Sequence, residues 1–167
     1  QAGKEGMAGT TQMDEQQKTA LKTELAPHVV VISSSLESAK DQLAGVRAQY
    51  ELAEGQQTRP MTQIKLHTRE IRDDIKMATD SQSQLQSGAK KYPAVAQSGE
   101  FRQVNSSLGE VTKTAQSWES KSKSTSYWNN KDQVKQDLDN FEKQIDSAIS
   151  NAKSFESKQF ESTSSTG

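Results

Sequence analysis

Apolar residues recur at alternating intervals of three and four along most of the chain. They form four series, at 21–53, 61–85, 101–118 and 134–155. This spacing gathers the apolar side chains on one narrow stripe of an α-helix. No stretch shows the period of two that is typical of a half-buried strand. The pattern predicts an all-α protein with four long helices.

Three interruptions separate the four series, near 55–60, 88–99 and 122–130. Because the connections are short, consecutive helices are expected to lie side by side and antiparallel. The sequence therefore predicts an elongated antiparallel up-down-up-down four-helix bundle. Pro27 is the one proline inside an apolar series, and we expect it either to start the first helix or to kink it.

The two ends of the chain do not share the helical pattern. The first stretch contains three glycines and no branched aliphatic residue, and the last stretch is built from Glu, Ser, Thr and Gly. Neither offers an apolar face to bury. We predict a flexible leader at 1–13, a single helical-bundle domain at 14–160 and a disordered tail at 161–167.

Composition argues against most classes of chemistry. The chain has no cysteine, which removes disulfide scaffolds, zinc-thiolate sites, iron-sulfur clusters and thiol nucleophiles. The formal net charge of −1 lacks the strong field that attracts nucleic acids, so we expect no nucleic-acid partner. Phosphate-binding loops, the nucleophile elbow and the zinc-protease motif are all missing. We therefore expect no enzyme activity, no catalytic residue and no cofactor.

The candidate metal ligands are the two histidines, each with a glutamate at helical spacing: His28 with Glu24 and His67 with Glu70. If the first two helices turn near residue 58, His28 and His67 lie about 30 Å apart along the bundle. Two ligands at that separation cannot share an ion. We therefore predict no metal site, and we expect both histidines to be solvated or to flank the apolar seam.

Two polar features on the second helix also need an interpretation. The carboxylate pair Asp73 and Asp74 lies among arginines and lysines, which is typical of a solvated helix face. Gln82 occupies a position where the series expects an apolar residue. It either fixes register or partner choice, or marks a fraying helix end or a groove for a partner.

Aromatic residues gather around the third interruption. In the predicted topology, the end of the bundle far from the chain termini carries Tyr50, Met61, Trp118, Tyr127 and Trp128. Trp128 adjoins a loop and is expected to be more exposed than Trp118. Tyr127 and Trp128 are therefore the candidate partner-binding residues, since Trp and Tyr often anchor interfaces. In the alternative interpretation, Trp128 folds back over Trp118 and caps the seam.

As a whole, the sequence favours a non-catalytic helical bundle that acts as a protein-protein interaction or structural module. A Ser- and Gln-rich helical rod behind a Gly-containing leader is typical of an exported bacterial protein. We therefore expect a periplasmic, outer-membrane or cell-surface location, with a membrane tether through a lipid anchor ahead of Gln1. The alternative is a carrier or sensor that holds a small apolar ligand between its helices. Alanines in the seams leave little room for such a ligand and favour the first hypothesis.

Overall fold

A computed structural model describes residues 15–53 and 61–161 of the chain. Within these ranges the chain forms five α-helices and no strand. The helices are α1 (Glu15–Leu52), α2 (Met61–Ala89), α3 (Pro93–Ala96), α4 (Gly99–Ser122) and α5 (Lys131–Glu156). A 3-10 turn, Thr125–Asn129, joins α4 to α5, and a π turn, Ser157–Glu161, follows α5. The predicted all-α bundle is confirmed.

The helix boundaries agree with the predicted interruptions at 88–99 and 122–130. The first predicted interruption, the leader at 1–13 and the tail beyond Glu161 lie outside the described residues. Ser98 caps α4 by accepting a hydrogen bond from the Phe101 N–H (3.1 Å), and Asn130 caps α5 through the Gln133 N–H (3.2 Å). Such side-chain acceptors satisfy amide donors that have no partner within the helix.

Pro27 does not start the first helix, because α1 begins at Glu15 and continues through it. A proline in a helix interior removes one hydrogen bond and crowds the preceding turn. The turns before Pro27 nevertheless bury Leu21 and Leu25 completely. Their packing against the rest of the bundle outweighs the local preference of proline.

Residue pairs show how the four long helices pack. In each pair of neighbours, residue numbers rise along one helix as they fall along the other, so the neighbours run antiparallel. The pairs are Gln42–His67 and Glu24–Gly88 for α1 with α2, Arg47–Asp139 and Lys40–Asp146 for α1 with α5, Lys121–Asp137 and the Asn151 side chain with the Gln103 carbonyl for α4 with α5, and Arg72–Glu119 and Gln82–Asn105 for α2 with α4. Each long helix therefore contacts two others around a common core.

The core runs the length of this bundle. Aromatic rings are concentrated near its two ends, with Tyr50, Trp118, Tyr127, Trp128 and Phe141 at one end and Phe101, Phe155 and Phe160 at the other. Aliphatic and small side chains fill the length between them, including the buried Ala39, Ala78 and Ala148. At 1.5 Å per residue, the 38-residue α1 is about 57 Å long. Within residues 15–53 and 61–161, every helix lacks an apolar stretch of the length that a membrane span requires.

Candidate functional site

Trp128 is buried, with 1% of its surface exposed. Its indole N–H donates a hydrogen bond to the Ser122 carbonyl (2.9 Å), and its ring meets the Trp118 ring edge-on at a centroid distance of 5.9 Å. The prediction that Trp128 is the exposed tryptophan was wrong. The 3-10 turn folds this ring back over the open end of the apolar seam, which is the arrangement that the alternative interpretation described.

Tyr127 is half-buried beside Trp128, at a centroid distance of 5.2 Å. Its hydroxyl donates to Oδ2 of Asp137 (2.7 Å), while Gln133 donates to Oδ1 of the same carboxylate (2.8 Å). Burial raises the pKa of Tyr127, and the hydrogen bond to Asp137 adds to the effect. Tyr127 therefore stays neutral and fastens the turn to α5.

Tyr50 completes this aromatic end from α1. Its hydroxyl donates to the Trp128 carbonyl (2.8 Å), which ties the turn between α4 and α5 to the first helix. The outer surface of the turn is polar, because Lys123, Ser124, Thr125 and Ser126 are exposed there. The two rings predicted to bind a partner thus close the bundle. Tyr127 is half-buried and keeps part of its side chain on the surface, whereas Trp128 would be accessible only if the turn opened.

Neither histidine belongs to a metal cluster. Among the described residues there is no group of three or more His, Cys, Asp or Glu placed to hold an ion. His67 is half-buried between α1 and α2, with its Nδ1 2.7 Å from Oε1 of Gln42. It flanks the apolar seam, as the sequence predicted.

The contact between α1 and α2 follows a seven-residue repeat in which every member except Val31 is polar or is glycine. On α2 the repeat is His67, Asp74, Ser81 and Gly88, and on α1 it is Glu24, Val31, Ser38 and Gly45. The opposed pairs observed across the contact are Gly45 with His67, Ser38 with Asp74, and Glu24 with Gly88. The apolar series do not reveal this row, although its seven-residue spacing is visible in the sequence. Hereafter it is called the polar row.

Two glycines of the polar row let α1 and α2 approach closely. A Cβ atom on Gly45 would lie 2.8 Å from Cε1 of His67, and one on Gly88 would lie 2.6 Å from Cδ2 of Leu25. Both distances are shorter than a carbon-carbon contact of optimal separation. Each glycine thus accommodates a side chain of the facing helix, at opposite ends of the pair.

Asp74 is the least satisfied group of the polar row. Its Oδ2 is buried without a hydrogen-bond partner, and Ser38 supplies a hydrogen bond to the carboxylate. Burial raises the pKa of Asp74, and the nearby negative charges of Glu70 and Asp73 add to the shift. The interpretation of a solvated face holds for Asp73, which is exposed, and is wrong for Asp74, because its helix face turns towards α1.

Gln82 pairs α2 with α4. It donates to Oδ1 of Asn105 (2.9 Å), and Gln86 donates to the same oxygen (3.0 Å). Of the interpretations open from the sequence, this contact fits the one in which Gln82 fixes register between helices. Further along the same contact, a shallow groove is lined by residues that include Ile75, Ala115 and Glu119.

No family model, curated protein or solved structure matches the chain. A function for it must therefore be argued from its own residues. The structure has two distinctive parts. One is the end of the bundle at which Tyr50, Tyr127 and Trp128 close the seam, and the other is the polar row between α1 and α2.

Proposed function

We propose that this chain is a non-catalytic rod that acts as a protein-protein interaction or structural module. The observation that carries the proposal is the filling of the bundle by side chains from one aromatic end to the other. Because side chains occupy the interior, other molecules contact the outer surface of the helices. Such a surface suits the binding of another protein better than the enclosure of a small substrate.

The carrier hypothesis is less well supported by the same packing. A ligand between the helices would have to displace buried side chains from an interior in which even the small Ala39, Ala78 and Ala148 are inaccessible to solvent. It would also have to separate α1 from α5, which are joined by Lys40 with Asp146 (2.7 Å) and by Arg47 with Asp139 (2.9 Å). We therefore propose the interaction module in preference to the carrier.

We also propose that the rod works in the bacterial envelope, tethered to a membrane through a lipid anchor. The support comes from the sequence alone, namely the Ser- and Gln-rich composition, the absence of cysteine and the Gly-containing leader. Fractionation of the source bacterium after labelling with a fatty acid tests this location. Recovery of the unlabelled protein from the cytosol would overturn it.

Site-specific photo-crosslinking in the source cells tests the interaction module. A photoreactive amino acid is placed at Val30 or Met77, each 53% exposed on a different helix, or at Ser126 on the aromatic end. We expect one face to yield a discrete adduct with a single protein while the other positions yield none. Native mass spectrometry of the protein purified from the same cells supplies the opposing outcome. A bound small apolar molecule together with the absence of any adduct would favour the carrier.

A further inference from the structure

Asp74 occupies a position in the α1–α2 contact that suits a neutral carboxyl better than a carboxylate. Asp74 as a whole is half-buried, but its Oδ2 is inaccessible to solvent and accepts no hydrogen bond, and Ser38 of α1 donates one to the group. An ionised carboxylate needs donors or cations to replace the water that it loses on burial. This carboxylate has fewer of them than a solvated one.

The charged groups around Asp74 do not make up for that loss. On α2, Glu70 and Asp73 carry the same sign as Asp74, and the positive Arg72 lies 3.5 Å from Asp73 instead. His67 is one repeat away on the polar row, about 10 Å along the helix axis. It bonds to Gln42 of the facing helix.

The facing helix supplies no compensating cation. Within one turn of Ser38, α1 carries Glu37, Lys40 and Asp41. Lys40 pairs with Asp146 of α5 (2.7 Å), and Glu37 lies 3.9 Å from Lys153 of the same helix. Within the described ranges, no lysine or arginine forms an ion pair with Asp74.

We propose that the α1–α2 contact is a proton-responsive joint, which holds more firmly when Asp74 carries a proton than when it is ionised. The neutral carboxyl has a smaller solvation requirement and gains an O–H donor. The ionised form leaves a negatively charged oxygen buried beside Glu70 and Asp73. The joint would thus be tightened by mild acid and loosened at neutral pH.

The direction of the pH effect follows from the linkage between protons and folding. Burial raises the pKa of Asp74 in the folded chain above its ordinary value of 3.8. Between these two pKa values the folded chain binds more protons than the unfolded chain, so its free energy of unfolding falls as the pH rises. Asp74 therefore destabilises the fold fully above its raised pKa, and this effect disappears below the ordinary value.

Urea denaturation of the full chain and of its Asp74→Asn variant between pH 4 and pH 7.5 tests this proposal. We expect the variant to have the higher midpoint at pH 7, and the shift between the two proteins to shrink as the pH falls. Asp80→Asn is the matched control, since Asp80 is an exposed carboxylate on the same helix, about 9 Å along its axis from Asp74. Its shift is expected to vary less with pH. A shift for Asp74→Asn that is constant with pH, or equal to that of the control throughout, would overturn the proposal.

A second variant keeps the test decisive if Asp74→Asn folds poorly. Ser38→Ala removes the hydrogen bond that α1 gives to the carboxylate. Because that bond favours the ionised form, its loss is expected to lower the denaturation midpoint more at pH 7 than at pH 4. An equal loss at both pH values would contradict the proposal.

Discussion

The backbone of α1 at Gly45 lies against the His67 ring, so that a Cβ on Gly45 would fall 2.8 Å from Cε1. Glycine is normally unfavourable within a helix, where alanine is preferred by about 1 kcal/mol. The close approach of α2 to α1 therefore explains why position 45 is a glycine. The close contact between α1 and α2 therefore requires a glycine at position 45, which helix propensity alone would not predict.

Replacing Gly45 with alanine is expected to destabilise the protein, because the added methyl group must push His67 or the whole of α2 away. Gly109→Ala on α4 is the matched control, since a Cβ at that position meets nothing within 4 Å. The control is expected to gain up to about 1 kcal/mol from helix propensity. Thermal denaturation of both variants checks the opposite signs. Stabilisation by both substitutions would show that α1 and α2 lie further apart than described.

Removing the His67 ring should relieve the clash in the Gly45→Ala variant. We expect the double variant Gly45→Ala/His67→Ala to be less destabilised than the sum of the two single variants, as residues in direct contact are not additive. A double-mutant cycle measured in urea gives the coupling energy. Strict additivity would contradict the contact between Gly45 and His67.

Trp128→Ala is expected to cost about 3 to 5 kcal/mol of unfolding free energy, since it empties the aromatic end of the core. Trp128→Phe retains part of the packing and loses the hydrogen bond to Ser122, so its loss should be smaller. Ser126→Ala on the exposed surface of the same turn is the control and should change stability by no more than about 0.5 kcal/mol. If Trp128→Ala also lost less than about 1 kcal/mol, the ring would not close the seam.

Leu108 lies in the middle of the predicted seam, and Phe141 lies at the end that carries Trp118 and Trp128. Substitutions at both positions test the assignment of the seam. Both are buried, and substitution of either by alanine is expected to cost about 2 to 5 kcal/mol. Leu66→Ala is the matched control, because Leu66 is an exposed apolar residue on α2 and should lose about 0.5 kcal/mol or less. Chemical denaturation measures all three. Equal losses at Leu66 and Leu108 would contradict the assignment of the seam.

The apolar spacing was enough to predict the helices and most of their buried faces, from Leu21 to Phe155. A spacing rule reports which face of a helix is apolar, and so it could place Leu108 and Phe141 correctly. It does not report how a loop side chain is oriented, and for that reason Trp128 was expected to be exposed. The burial of Trp128 depends on the short turn and on the backbone carbonyl of Ser122, which accepts its indole N–H.

The polar row was harder to recognise, because its members do not share one type of side chain. His67, Asp74 and Gly88 have in common only their seven-residue spacing and the helix that they face. In the sequence, Asp74 looks like its exposed neighbour Asp73. The two residues are one step apart around the α2 helix, and that step places Asp74 on the face towards α1. Sequence patterns of this kind become informative once the pairing of helices is known.

Zero-length carbodiimide crosslinking of the folded protein tests the closed antiparallel rod most directly, because the reagent joins only lysines and carboxylates that are already in contact. The account predicts one crosslink between Lys40 and Asp146, which joins α1 to α5, and another between Glu24 and Lys91, which joins α1 to the turn that follows α2. Both should disappear when the chain is unfolded in denaturant before the reaction. If the local pair Lys76 and Asp80 reacted while both long-range pairs failed, or if Lys40 were joined to carboxylates at the opposite end of α5, the closed antiparallel bundle would be contradicted.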